Sequence, residues 1–185
     1  MLKFRFFNFA PMVRAAVVAF LMSLSPLPGT AQDEAYLSLR DMVFDLETNE
    51  EFHAFVDADL PLAVIMETDI EGQTMTLIMV AEGTTSIYFS DGGGMIGGGE
   101  YDFVRAEVFQ LLGMVDQFAN HFSESGTRSR PSAGMAHFYV VRRTGVFRSE
   151  EFVEEDMWDA GNLSALLRQA HAVIGGLREV QTAQQ

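Results

Sequence analysis

The chain has 185 residues, contains no cysteine, and carries a formal net charge of −14 at pH 7. The missing cysteines exclude a disulfide framework and thiol chemistry. Since phosphate binding needs a basic patch, we expect neither nucleic acid nor an anionic membrane surface as a partner.

Residues 1–31 have the features of a secretory signal peptide. Lys3, Arg5 and Arg14 form a positive n-region. An apolar run follows at 15–24, and the small residues Gly29 and Ala31 suit a signal peptidase. We therefore expect a periplasmic or secreted protein that is cleaved near Ala31.

The apolar run of this leader covers only ten residues. A membrane-spanning helix needs about 20 apolar residues, so we expect no stable membrane anchor once the leader is removed. Translation could begin at Met1 or at Met12, because either start leaves a leader with these features.

The remaining residues, 32–185, are expected to form a single domain. The leader holds three of the twelve basic residues and none of the 26 acidic ones, so the mature chain has nine arginines and a net charge of −17. Its 154 residues are enough for one hydrophobic core. We interpret the negative charge as a source of solubility.

The first predicted element of the domain is a helix from Asp33 to Leu46. Its predicted buried face consists of Leu39, Met42, Val43 and Leu46, which follow helical spacing.

A short second helix is predicted after a capping box formed by Thr48 and Glu51. Its predicted apolar side is Phe52, Phe55 and Val56.

Three strands are predicted next, at 62–68, 74–80 and 85–90. Glycine-containing turns at Glu71-Gly72 and Glu82-Gly83 separate them, which is typical of an antiparallel meander. The first two strands are apolar on both faces, so we expect helices to cover part of the sheet.

The second half of the domain is predicted to add two helices and a hairpin. An amphipathic helix spans 100–122, a polar loop spans 123–134, and strands at 136–141 and 146–148 form the hairpin. The last helix spans 163–180, with Asn162 as its N-cap. The predicted fold class is α+β, a five-stranded, mainly antiparallel sheet with helices packed against it.

A glycine-rich loop lies between the third strand and the following helix. It contains six glycines within eight positions: Gly92, Gly93, Gly94, Gly97, Gly98 and Gly99. Glycine is costly to order, so such a cluster implies positive φ values or a close backbone approach. We expect a tight crossover from strand to helix, with Met95 and Ile96 as an apolar anchor beneath it.

This loop matches nucleotide-binding motifs poorly. Gly92, Gly94 and Gly97 satisfy G-x-G-x-x-G, but a meander precedes them, and Asp116 lies in a predicted helix instead of at a strand end. The P-loop pattern fails because Glu100 and Tyr101 follow Gly99. We expect no cofactor.

The loop is nevertheless the candidate ligand-binding site, together with Ser90, Asp91, Glu100 and Arg105. A helix N-terminus can bind an anion, although the acidic residues on both sides of the loop oppose this. Arg105 could pair with Asp91 or Glu100, or bind a ligand carboxylate with its guanidinium.

No catalytic or metal-binding residue can be named from the sequence. His53, His121, His137 and His171 lack metal-ligand spacing, and His137 and His171 are expected to be partly buried structural residues. The methionines could bind copper(I), but their alternation along the strands favours a place in the core.

One segment resembles an uncharacterised bacterial family of no known activity. The residues are Tyr88-Phe89-Ser90, the two glycine triplets with Ile96 between them, Glu100, and Val104-Arg105. Met66-Glu67-Thr68 and His171-Ala172-Val173-Ile174 match the same family. The resemblance implies a shared fold. Tyr101 stands where the family usually has histidine.

Two functions follow as hypotheses. The first is an exported, non-catalytic binding domain that contacts an unknown protein or small ligand through the glycine-rich loop. The alternative is a small-ligand-binding or hydrolytic enzyme that uses loop N–H groups as an anion or oxyanion cradle.

Overall fold

The computed structural model describes residues 29–154 and 163–183, with side chains from residue 32 onward. Residues 1–28 of the predicted leader and Asn162 lie outside these residues, whereas leader residues 29–31 begin the first helix. None of the described helices combines the length and the apolar character needed to cross a membrane.

Helices and strands form an α+β fold. The helices are α1 Gly29–Phe44, α2 Glu50–His53, α3 Asp102–Met114 and α4 Ser164–Ala183. The strands are β1 Ala63–Ile70, β2 Gln73–Val80, β3 Thr85–Phe89, β4 Gly94–Ile96, β5 Phe122–Glu124, β6 Ala136–Arg142 and β7 Gly145–Ser149.

The strands form one antiparallel sheet in the order β4-β3-β2-β1-β6-β7-β5. The central strand β1 places Met66 opposite Leu77 of β2 on one side and opposite Phe138 of β6 on the other. The meander and the hairpin were both predicted, and they meet along β1.

Helices cover both faces of this sheet. One core lies between the sheet and the helices α3 and α4, and its strand residues include Met66, Leu77 and Phe138. A second core lies beneath α1 and includes Ile65 and Tyr139. Because side chains alternate along a strand, β1, β2 and β6 are buried on both faces, as the sequence predicted for the first two.

The predicted number of five strands is wrong, because the sheet has seven. The two additional strands, β4 and β5, are edge strands of three residues each. The glycine-rich segment is therefore more than a crossover, since it contains β4 before the chain turns into α3.

The predicted buried face of α1 is also wrong in part. The helix buries Tyr36, Arg40, Val43 and Phe44, whereas Met42 is 46% exposed. Arg40 can occupy this face because a carboxylate in β1 pairs with it.

The cap of α2 differs from the prediction. Asn49 is the N-cap, and its Oδ1 accepts a hydrogen bond from Phe52 N–H at 2.9 Å. Phe55, predicted to be buried, is 64% exposed.

The predicted helix 100–122 is divided into three parts. A 3₁₀ turn at Gly98–Glu100 precedes α3, and a 3₁₀ segment at Val115–His121 follows it.

The helix α4 packs closely against α3 at Gly176, where a Cβ would lie 3.1 Å from Val104 Cγ2.

Candidate functional site

The first half of the glycine-rich loop is a tight hairpin between β3 and β4. Phe89 N–H donates to Gly93 C=O at 3.2 Å, and Gly92 N–H donates to Phe89 C=O at 3.0 Å. Gly92 and Gly93 have φ values of +102° and +84°, which L side chains rarely adopt.

Gly94 allows β4 to approach β3. A Cβ on Gly94 would lie 2.3 Å from Ile87 C=O and 2.6 Å from Tyr88 Cα. Any larger residue would therefore separate the two strands.

The second triplet packs against the rest of the domain. A Cβ on Gly98 would lie 2.0 Å from Leu177 Cδ2 of α4, and one on Gly99 would lie 1.8 Å from Gly83 C=O in the β2–β3 turn. Gly97 has a φ of +85° and leads into this contact.

Two main-chain donors at the end of the loop form hydrogen bonds inside it. Glu100 N–H donates to Gly97 C=O at 3.1 Å, and Tyr101 N–H donates to Gly98 C=O at 3.2 Å. Ser90 Oγ accepts a hydrogen bond from Thr74 N–H at 3.0 Å. These groups stabilise the loop through their hydrogen bonds within the fold.

Arg105 pairs with neither Asp91 nor Glu100, the two partners that the sequence offered. Its guanidinium donates to Gly99 C=O at 3.0 Å and to the Asp102 carboxylate.

The proposed site residues are divided between the two ends of β4. Ser90 and Asp91 lie beside the start of β2, where Gln73 Nε2 donates to Asp91 Oδ2. Glu100 and Arg105 lie beyond the other end, where Gly99 meets Gly83.

The strand β4 forms one edge of the sheet, and part of its main chain faces away from the fold. Since Phe89 and Gly93 are a hydrogen-bonded pair, antiparallel alternation turns the Met95 main chain toward β3. The N–H and C=O groups of Gly94 and Ile96 then point outward from the sheet edge.

A buried polar network lies beneath α1 on the other side of the sheet. Glu67 of β1 is fully buried and accepts hydrogen bonds from Arg40 Nε at 2.6 Å and from Arg40 Nη2 at 2.8 Å. Thr76 Oγ1 also donates to Glu67, at 3.2 Å, and lies 2.8 Å from Tyr36 Oη.

Arg40 also fixes the loop that covers this network. Arg40 Nη1 donates to Arg128 C=O at 2.6 Å, and Tyr139 Oη donates to Ser129 C=O at 2.7 Å. The guanidinium lies 4.8 Å from the centre of the Phe44 ring. Helix α1, β1 and the 125–135 loop are therefore joined at one side chain.

The environment shifts the pKa of two groups in the network. Burial opposes ionisation of Glu67, but hydrogen bonds from Arg40 and His137 outweigh it and lower the pKa of that carboxyl. Burial, followed by the negative charge of Glu67, raises the pKa of Tyr36 to about 12.

His137 completes the network and is fully buried, more so than the sequence led us to expect. Its Nε2 lies 3.1 Å from Glu67 Oε2. Its Nδ1 has no hydrogen-bond partner in the part of the chain that the structure describes, and it lies 3.8 Å from Glu151 Oε1. The network stabilises the packing of α1, and it presents no surface to a substrate.

Sequence reasoning missed this network, although a signal was present. Glu67 interrupts an apolar strand, and Arg40 falls on the helix face that carries Tyr36 and Phe44. One acidic residue on an apolar strand and one basic residue on an apolar helix face indicate a buried ion pair, because charged side chains are rarely buried without a partner.

A smaller polar cluster lies on the opposite face of β1. Thr68 Oγ1 donates to Glu154 Oε1 at 2.5 Å, and His171 Nε2 lies 2.9 Å from Glu154 Oε2. Burial opposes ionisation of Glu154, but the hydrogen bonds from His171 and Thr68 lower its pKa. Glu154 thus links Thr68 and His171, two residues that carry the family resemblance.

Within residues 29–154 and 163–183 there is no group of three or more histidine, aspartate or glutamate residues that could hold a metal ion. Met66, Met75 and Met79 lie in the core between the sheet and α3 and α4.

No family model, no curated protein and no solved structure matches the chain. The resemblance carried by the loop signature therefore stays a prediction.

Proposed function

We propose that this chain is an exported, non-catalytic interaction domain whose contact site is the β3–β4 hairpin with its glycine-rich loop. One observation carries the proposal. Ser90 Oγ and the N–H groups of Gly92, Glu100 and Tyr101 are hydrogen-bonded within the fold, whereas the main-chain groups of Gly94 and Ile96 point outward at the edge of the sheet.

The same observation favours interaction over an anion or oxyanion cradle. A cradle needs converging N–H groups that are free to donate to the ligand. Here the N–H groups of Glu100 and Tyr101 donate within the loop, and Arg105 is held by Gly99 and Asp102.

Site-specific photo-crosslinking tests the contact site. A photo-reactive side chain replaces Asp91, which is exposed on the hairpin, and Gln181 on α4 serves as the matched exposed control. We expect a discrete crosslinked product in native extract from position 91 and none from position 181. Identical patterns at the two positions would contradict the proposal.

A further inference from the structure

We infer that the outer edge of β4 adds a strand from a partner, and that the partner contributes an extended, basic segment. This inference rests on the proposed function, since it names the kind of partner that the same hairpin binds. Edge strands bind extended peptides through main-chain hydrogen bonds.

The geometry of β4 provides the main-chain contact. Gly94 and Ile96 direct their N–H and C=O groups away from β3, which is the arrangement that an added strand needs. Among the described residues, no atom lies within 4 Å of the Cβ position of Gly93 or Gly97, at either side of β4. At the adjacent Gly92, Gln32 Cδ of α1 lies 3.2 Å from the Cβ position.

Charge determines the class of partner. Asp91 is exposed before β4, Glu100 is exposed after it, and Glu71 is exposed in the turn that precedes Gln73, the hydrogen-bond donor to Asp91. An acidic edge with both ends negative attracts a basic segment and repels a second copy of this acidic chain.

The arginines do little to offset this negative charge, because most of them form hydrogen bonds within the domain. Seven of them donate to carbonyl, carboxylate or hydroxyl groups of the described residues: Arg40, Arg105, Arg128, Arg130, Arg142, Arg143 and Arg148. Arg105 lies next to the glycine-rich loop, where it pairs with Asp102, and the exposed Arg178 follows Leu177, the residue that packs against Gly98.

Fluorescence anisotropy with three synthetic peptides tests the inference on the full chain. The first peptide alternates arginine and valine over about nine residues, which is within the usual length of one β-strand. The second is the same peptide with alternate backbone N-methylation, and the third has glutamate in place of arginine. We expect saturable binding of the first, and at least tenfold weaker binding of the other two.

A variant separates strand addition from simple charge attraction. Ile96→Pro removes the outward N–H without removing a bond to β3, and Ile96→Val is its matched control. We expect a loss of affinity of at least tenfold for the first and less than twofold for the second. Equal binding of the N-methylated peptide would overturn the inference even if the proline variant failed to fold.

Other outcomes also decide the inference. No binding of the basic peptide at low salt would overturn it, and so would a concentration-dependent dimer that Ile96→Pro abolishes.

Crosslinking distinguishes this inference from the proposed function. If position 91 still crosslinks to a partner in the Ile96→Pro variant, the proposed function stands and strand addition fails. If position 91 crosslinks to nothing, the proposed function fails whatever the peptides do.

Discussion

At the scale of single residues, the most consequential pair is Arg40 and Glu67. Both side chains are almost completely buried, and the Nε–Oε1 distance is 2.6 Å. A buried ion pair contributes little over an apolar replacement of the same shape, but breaking it leaves one charge without compensation.

Arg40→Met is therefore expected to lower the free energy of unfolding by about 3–5 kcal/mol, because the Glu67 carboxylate is left buried and unpaired. Adding Glu67→Gln should recover part of this loss. Urea unfolding followed by circular dichroism measures both, with the exposed Arg178→Met as the control. A loss no larger than that of the control would show that the pair does not hold α1 in place.

The lowered pKa of Glu67 predicts acid sensitivity. Its folded pKa lies below the unfolded value of about 4.3, so the carboxylate stabilises the fold above that pH. This contribution is lost as the pH falls through the folded pKa. The difference in unfolding free energy between the native chain and Glu67→Gln should thus shrink below about pH 4.

Urea midpoints between pH 7 and pH 3 check this dependence. Using the difference between the two proteins removes the parallel contribution of Glu154, whose pKa is also lowered. A difference that stays constant with pH would mean that Glu67 titrates alike in the folded and unfolded chains.

At the scale of elements, the contact between the Gly98–Glu100 turn and the β2–β3 turn has the least room. Gly99→Ala places a Cβ against the Gly83 carbonyl, and main chain on both sides cannot move aside cheaply. We expect a loss of about 2–3 kcal/mol, in the range for overpacking.

Gly126→Ala is the matched control, because no described atom lies within 4 Å of its Cβ position. It should change stability by no more than about 0.5 kcal/mol. Thermal unfolding of the two variants compares them, and equal midpoints would indicate that the turns separate easily.

The long elements were predictable from sequence and the short ones were not. Alternation and helical spacing extend far enough in β1, β2, β6 and α4 to identify them. The strand β4 has three residues, one of them Gly94, and it forms only because the hairpin returns to β3. No periodicity exists over three residues, so tertiary context alone determines β4 and β5.

The unusual backbone of the glycine-rich loop was predictable in position but not in arrangement. The glycine cluster indicated where the backbone takes unusual conformations, and positive φ values occur at Gly92, Gly93, Gly94 and Gly97. The partner of Arg105 depended on which way the loop turns after β4. After β4 the chain packs Gly99 against Gly83 of the β2–β3 turn, a tertiary contact that no local sequence pattern indicates.

At the scale of the whole molecule, the predicted leader can be tested directly. Expression of the full-length chain in a bacterium, followed by N-terminal sequencing, should yield Gln32 as the first residue of the exported protein. Ala31→Trp should block processing, because signal peptidase needs a small residue there. A protein that keeps its initiating methionine outside the cytoplasm would contradict the cleavage prediction.

The central position of β1 has a consequence for how the chain folds. Met66 pairs with Phe138, about 70 residues later, so one edge of the middle strand stays open until the last third of the chain arrives. Such distant pairing slows folding, because the entropy cost of closing a long loop comes before the stabilising contacts form. Such a delay is compatible with the export that we propose, in which the polypeptide crosses a membrane pore before it folds.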